Sequence, residues 1–420
     1  MMPAADARAL LAELFQVAVA AAHPARLMAA HLPAPPRGRT VVIGAGKASG
    51  AMAAAFEREW LGRGYGALSG FVVTSDGNAV QNAFIEVAEA RHPLPDARSV
   101  SAAERMLEVV SGLSADDLVV ALISGGASSL LALPAPGLTL EDKQAVNRAL
   151  LASGAPIDEM NCVRKHLSAI KGGRLAAAAA PARVVSLVLS DIPGDNPALV
   201  GSGPTIPDAT SVDDARRIIA RYRLDLPERV RAALSPAPAP VDSAFSNNEI
   251  HLVGAAQMSL DAAAAEAARR GLEPHILSDA FAGEARDLGQ VHAALARQVL
   301  TRNQPFTAPC LLLSGGETTV TLRGKGGKGG RNSEFLLAFA RQVAGVAGIV
   351  ALAADTDGID GSEQNAGAVA DGASLARMRE AGVDPVACLD GNDSYSAFAA
   401  VGDLLVTGPT GTNVNDFRAI

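Results

Sequence analysis

Two charged residues attract attention because each follows a glycine-rich segment that could bring backbone and side chain to the same anion. Lys47 closes the turn in VVIGAGKASG (41–50), which reads as a strand, a tight turn and an Ala-rich helix through Phe56. N–H groups at such a helix start favour phosphate or carboxylate. Gly44 and Gly46 permit close approach, and Lys47 adds a full positive charge. A plain βα turn with a solvated lysine would use the same residues, so the motif alone does not decide. Arg331 ends RGKGGKGGR (323–331), just before a helix whose start is marked by Asn332 or Ser333 as cap and Glu334 in the first turn. A guanidinium that keeps its proton matches the oxygens of a transferring phosphoryl group. A basic surface linker would read the same way.

Other segments add anion- and cation-binding chemistry. Ser124, Gly125, Gly126 and Ser128 in LISGGASS, and Ser314, Gly315, Gly316 and Glu317 in LLSGGETT, each follow an apolar run. Successive glycine N–H groups form concave nests for anions, and the hydroxyls add donors. This short echo predicts a similar strand-end loop in both halves. Gly201, Ser202 and Gly203 form a further hydroxyl-bearing loop. In VRKHLSAIKGGR, Arg164 and Lys171 stand seven residues apart and share a helix face, with Lys165 beside them. That face suits a carboxylate or phosphate, or it is simply solvated. His166 reads as a packed or surface histidine. Asp191 ends an apolar run and Asp195 sits in a Pro-Gly turn, where carboxylates beside phosphate loops commonly hold Mg²⁺; turn-forming Asx chemistry is the alternative. Asp355, Asp357 and Asp360 resemble a calcium loop, but Ile359 and Asp360 occupy the positions where an EF-hand needs Asp/Asn and Gly.

Several familiar sites are excluded. No segment fits G-x-x-x-x-G-K-[ST] or G-x-S-x-G. As a dinucleotide fingerprint, GAGKASG has its third glycine one place late, and no acid lies between Leu61 and Ser75 to hold a ribose. The nicotinamide reading is weakened.

The elements that must position these residues are short apolar runs alternating with Ala-rich helical stretches, the pattern of βα units around a mainly parallel sheet. The runs lie at 40–46, 70–76, 117–126, 183–191, 250–255, 274–279, 309–316 and 348–355. Nearly all end in Gly, Ser or Asp, at the strand ends where α/β sheets bind ligands. The Pro- and Ala-rich stretch 234–248 is the best linker, dividing the chain near 240. The pattern leaves open whether a segment of one half crosses into the other.

A chain of 420 residues with 49% hydrophobic and 19% charged content is long enough for two or three cores. A net charge of −8 without long Lys/Arg runs argues against a nucleic-acid partner. Three scattered cysteines suggest neither a disulfide framework nor a zinc site and fit a reducing cytoplasm. The N-terminal stretch lacks a basic start, and the longest uncharged run, 118–140, is broken by SGGASS and two prolines, so no membrane span is expected.

Taken together, GAGKASGAM, ISGGASSLL, NCVRKHLSAIKGGRLA, SDIPGDNPALVGSGPT, GGRNSEF, ADTDGIDG and GPTGTNVND resemble the class II glycerate 2-kinases, over about residues 5–418. The resemblance implies a Rossmann-like α/β/α N-terminal domain (1–240) and a smaller α/β C-terminal MOFRL domain (241–420), with the active site in the cleft between them. It implies ATP- and Mg²⁺-dependent phosphorylation of D-glycerate to 2-phosphoglycerate, with Lys47 and Arg331 as the catalytic pair. Members also carry the label hydroxypyruvate reductase, through an association with tartrate degradation. On that footing Asp191 is expected to hold Mg²⁺ or take the hydroxyl proton. Asp195, Asp355 and Asp357 are further metal candidates. The SGG and GSG loops would hold nucleotide phosphates, and Arg164, Lys165 or Lys171 the glycerate carboxylate. The expected partners are D-glycerate, a nucleotide and a second copy of the chain as a homodimer. An NAD(P)H-dependent hydroxypyruvate reductase and a non-catalytic small-molecule-binding protein are the rival readings.

Overall fold

The structure, a computed structural model, describes residues 3–234, 242–322 and 326–420. Most of the expected linker's first half and the start of the basic Gly loop (323–325) lie outside the described residues. The chain divides into two compact units. One comprises Pro24–Ser190 and Asp195–Gly254, the other the residues up to His23, Asp191–Gly194 and Ala255–Ile420.

The first unit is built on β1 (Thr40–Ala45), β2 (Leu68–Ser75), β3 (Ile85–Ala90), β4 (Leu118–Ile123), β5 (Arg183–Leu189) and β6 (Glu249–Gly254). Their order is β3-β2-β1-β4-β5-β6, and every pairing is parallel. β1 and β4 are buried along their whole length, which is why they read as continuous apolar runs. This is the Rossmann order, in which the direction of winding reverses between β1 and β4 and leaves a crevice beyond their C-terminal ends. Ala45 stands beside Val73 on one side and Ile123 on the other. The segments that follow, 46–48 and 124–126, therefore emerge next to each other at that crevice.

The second unit carries β7 (Glu273–Glu284), β8 (Cys310–Thr319), β9 (Val350–Asp355), β10 (Gly367–Asp371), β11 (Leu404–Leu405) and β12 (Asp416–Ala419), in the order β11-β10-β9-β12-β8-β7. Only β7 and β8 run parallel; the remaining pairings are antiparallel. Alternation along β9 feeds two cores. Leu352 and Ala354 join Leu14, Phe15, Leu260 and Phe417 beneath the helices Ala4–Ala21 and Ala256–Arg269. Ala351 and Ala353 face the other way, with Phe335, Leu336 and Phe339 of the helix Arg331–Gln342. Each fully buried Leu or Phe here is worth about 1.5–3 kcal/mol.

One sequence expectation fails on local structure. Ser314–Gly315–Gly316 does not form a strand-end loop like that at Ser124; β8 continues through it to Thr319. At Gly316 (φ 106°) an added Cβ would lie 2.1 Å from the Phe281 carbonyl oxygen. The glycines serve the close, irregular pairing of β8 with β7, which shifts register between Ile276 and Phe281.

Candidate active site

The Lys47 turn is held at the crevice by the loop after β4. The Lys47 N–H donates to the Gly125 carbonyl (2.8 Å) and the Ala48 N–H to the Ser124 hydroxyl (3.0 Å). From the other side, the Thr74 hydroxyl donates to the Lys47 carbonyl (3.1 Å). Gly46 adopts φ 137°, and a Cβ there would stand 2.1 Å from Ser124 Oγ, so this approach needs glycine. Gly44 has a similar tight fit, 2.5 Å from the Leu122 carbonyl oxygen. The Lys47 stem runs past Gly126: a Cβ built there would meet Lys47 Cγ at 3.2 Å and the His92 ring at 3.1 Å. The helix itself begins at Ser49.

Beside Gly126 lies a cavity of about 300 Å³, lined among others by His92, Ser128, Lys143, Arg164 and Lys171. Two groups of residues expected to bind different ligands thus meet in one pocket. Lys171 donates to the Ser128 carbonyl and hydroxyl, both at 2.5 Å. Arg164 donates to Asn147 Oδ1 and, at 3.4 Å, to Asn161 Oδ1. Lys143 donates to the Leu167 carbonyl (3.2 Å). Burial, with the neighbouring charges of Arg164 and Arg174, pulls Lys143 down to about 7. Burial, with Lys143 and Arg164, takes Lys171 well below the usual lysine range. Burial also lowers Arg164.

The loop Gly201–Gly203 adjoins this pocket through Ser202, whose hydroxyl lies 3.1 Å from Ser128 Oγ and donates to Asn161 Oδ1 (3.2 Å). The carbonyls of Ser202 and Gly203 accept from Gly172 and Gly173 (3.2 and 2.9 Å), fixing the turn that presents Lys171. Lys165 goes elsewhere: it pairs with Asp208 (3.3 Å), which also stands 3.7 Å from His166. A helix places Lys165 100° from Arg164, too far to share the cavity wall.

In the other unit, Arg331 is the first residue of its helix and its guanidinium is divided among three acids. Nε donates to Asp416, one terminal nitrogen to Glu317 and the other to Asp355, each at 2.7 Å. Burial opposes its charge, but Asp416, Asp355 and Glu317 outweigh that and raise its pKa well above the ordinary value. Burial likewise would raise Asp416, yet Arg331 and Arg418 hold it below its usual range. Arg418 is fully buried, bonded to Asp416 and to the Gly315 carbonyl (3.0 Å), so the Gly-Gly segment of β8 serves as part of this cluster's frame.

The helix start is not left open to an anion. Asp360 accepts from the Asn332 and Ser333 N–H groups (2.9 and 2.8 Å) and from the Ser333 hydroxyl (2.7 Å), capping the helix across space. The expected local cap is replaced by this carboxylate, with Gly330 at the N-cap position. Asp355 also accepts from the Asp357 N–H (3.1 Å), and Asp357 from the Ile359 N–H (2.8 Å). Asp191 is held by Asn413 (3.2 Å) and Asn415, the residue before Asp416. Asp195 belongs to the parallel-sheet unit and takes a left-handed turn conformation (φ 51°).

The sequence reading missed Lys143, His92 and Asp416. Lys143 sits in LEDKQAVNRALLAS, where one lysine among polar helix positions looks solvated; Asp416 lies in a short terminal strand with no apolar run to mark it.

The site and fold define an α/β protein with a pocket lined by cationic side chains on a 3-2-1-4-5-6 parallel sheet and an arginine-centred acid cluster on a mixed one. Residues 10–235 match the family described as "Domain of unknown function (DUF4147)", and residues 310–416 match the MOFRL family. A protein of Agrobacterium vitis provisionally named hydroxypyruvate reductase is 55% identical over 416 residues, covering 99% of this chain and 94% of its own. The D-glycerate 2-kinase of Thermotoga maritima is 40% identical over 411 residues, 97% of this chain and 96% of that one. A crystal structure of glycerate kinase from the same organism superposes with a TM-score of 0.86 at 39% identity, covering 99% of both chains. The chain belongs to the glycerate 2-kinase family that carries a MOFRL domain. Among the described residues, no helix is long and apolar enough to cross a membrane.

Proposed function

We propose that this protein is a glycerate kinase that transfers the γ-phosphate of ATP to the 2-hydroxyl of D-glycerate, giving ADP and 2-phosphoglycerate. The observation that carries the reading is the rigid presentation of Lys47 at the switch point of the parallel sheet, beside a pocket lined by further cations. A transferring phosphoryl group carries its negative charge on three oxygens, so placed cations do most of the work that a protein can do. The relatives named as glycerate kinases support the choice of acceptor.

In this reading the 2-oxygen forms a bond to the γ-phosphorus as the bond to the β–γ bridging oxygen breaks. The hydroxyl proton passes to the carboxylate of Asp191. Lys47 neutralises charge on the group in flight. Arg331 uses three of its five N–H donors to fix Glu317, Asp355 and Asp416, and it adds a second cation through those that remain. The donor chemistry fits Mg²⁺, a hard ion that takes one or two carboxylates and completes its shell with water and phosphate oxygens. Asp355 and Asp357, joined by the hydrogen bond from the Asp357 N–H to the Asp355 carboxylate, would hold it. When bound, the ion offsets phosphate charge.

A coupled assay tests the proposal. The purified protein is given D-glycerate, ATP and Mg²⁺, with NADH and hydroxypyruvate in a parallel reaction, and the phosphorylated product is identified by NMR. ADP formation with phosphate on the 2-oxygen is expected. NADH consumption without ADP formation would replace the kinase reading by the reductase one, and phosphate on the 3-oxygen would correct the regiochemistry.

A further inference from the structure

The pocket beside Lys47 has three features that a three-carbon acid would not use. The first is its charge. Lys143 comes from the helix Leu140–Ser153, Arg164 from the helix Ile157–His166 and Lys171 from the turn after it, and all three line the cavity. Their hydrogen-bond partners are carbonyls, amides and a hydroxyl. Among the described residues, no carboxylate lines the pocket. Burying several cations together without a counter-charge is costly, so this arrangement is complete only with a polyanion. The depressed pKa values of Lys143 and Lys171 express that cost.

The second feature is the rim. Pro93, Leu94, Pro95, Val146 and Leu151 form an apolar wall, and Leu94 and Leu151 are 48% and 59% exposed. Exposed apolar side chains around a polar floor mark a ligand with one flat, greasy end and one charged end. The third is size: about 300 Å³ is several times what glycerate fills, and is at the lower end for sites that take a nucleotide-sized ligand.

We propose that this pocket is the nucleotide site, with Lys143 as a binding residue for the polyphosphate. The base lies against Leu94, Pro95 and Leu151, the phosphates on Lys143, Arg164 and Lys171, and the chain of phosphates leads past Gly126 to Lys47. The glycerate carboxylate is then bound outside this pocket. This assignment rests on the kinase reading for the identity of the polyanion.

Isothermal titration of the full-length protein tests it, with MgADP and D-glycerate injected separately into the wild type, Lys143→Met and Leu151→Glu. The second variant changes an exposed side chain, so folding is not at stake, and it places a negative charge at the rim. Both variants are expected to weaken MgADP at least tenfold and to leave D-glycerate binding unchanged. Unchanged MgADP affinity in both, a selective loss of D-glycerate binding, or a wild type that binds no MgADP at millimolar concentration would each overturn the assignment. The kinase reading is judged separately by wild-type turnover. An active enzyme whose MgADP affinity ignores both substitutions sinks the pocket alone; an inactive enzyme whose MgADP affinity depends on them sinks the reaction alone.

Discussion

Replacing Arg331 by methionine removes the one cation shared by Asp355, Asp416 and Glu317. The side chains of Asp355 and Asp416 are 5% and 0% exposed, and that of Glu317 is 44% exposed. Breaking a buried pair by deleting one partner costs about 3–5 kcal/mol, because a desolvated charge is left behind. The Glu317 pair adds at most about 1 kcal/mol. Arg418 stays beside Asp416, so the loss falls mainly on Asp355, and we expect about 3–5 kcal/mol in total at pH 7. With a urea m-value of about 2–3 kcal/mol/M, the midpoint of the affected unit drops by roughly 1–2 M. The pH dependence has a definite sign. Burial pushes Asp416 up, but Arg331 and Arg418 hold it low in the fold. That contribution is present above the ordinary carboxylate range and is lost as pH falls through the lowered value. The part of the gap between wild type and variant that comes through Asp416 is therefore largest near neutrality and shrinks below about pH 4. Far-UV circular dichroism follows the transition. Fluorescence of Trp60, the single tryptophan, reports on the parallel-sheet unit as an internal control. An unchanged dichroism midpoint at pH 7, or a gap that widens on acidification, would refute the view that Arg331 is the counter-charge of this cluster.

Lys47→Ala should lower kcat by about 10³-fold while leaving the melting temperature near that of the wild type, because the turn is held by backbone and hydroxyl contacts; near-normal turnover would remove Lys47 from the reaction. Gly46→Ala should give little folded protein, since its Cβ would stand 2.1 Å from Ser124 Oγ, and normal expression with a native melt would contradict that packing. Lys143, faced by Arg164, Lys171, Arg174 and His92 and carried on a helix whose Asp142 is engaged by Arg229, is charged only below about pH 7. MgADP affinity should fall as pH rises from 7 to 9, with proton uptake on binding seen as a buffer-dependent enthalpy; Lys143→Met should reduce that slope and leave the share carried by Lys171. The same substitution should stabilise the free protein at pH 7, because an unfolded lysine holds a proton that the folded one resists.

The parallel sheet was legible because burial on both faces makes β1, β2, β4 and β5 continuous apolar runs. β3 was not: IEVAEA is an edge strand with Glu86 exposed and Glu89 accepting from the Gly77 and Ala79 N–H groups, and it carries no such signal. β12 escaped for a related reason, since a strand reading DFRA hides a fully buried Arg418 whose charge is satisfied only in three dimensions. The antiparallel pairing in the second sheet followed from these missed strands. At the site, Lys47 and Ser124 could be read because local sequence fixes a strand, a turn and the need for glycine. The three acids that share the Arg331 guanidinium were not foreseen, nor was the role of Asp360 as the cap of its helix. Both depend on contacts between residues 14 to 85 positions apart, which the local pattern of the sequence does not display.

The first helix has a consequence for how the chain is made. Arg8 pairs with Asp371 and Asp403, and Phe15 rests 5.8 Å from Phe417. On a ribosome adding about 5–20 residues per second, this helix waits roughly 20–80 s for those partners to emerge. For that interval Leu10, Leu11, Leu14 and Phe15 form an apolar stripe without its full core, on a nascent chain whose parallel sheet is completed only when Gly254 emerges. Slow translation or a missing C-terminal strand would prolong that exposure and make the leading helix the natural binding point for a chaperone.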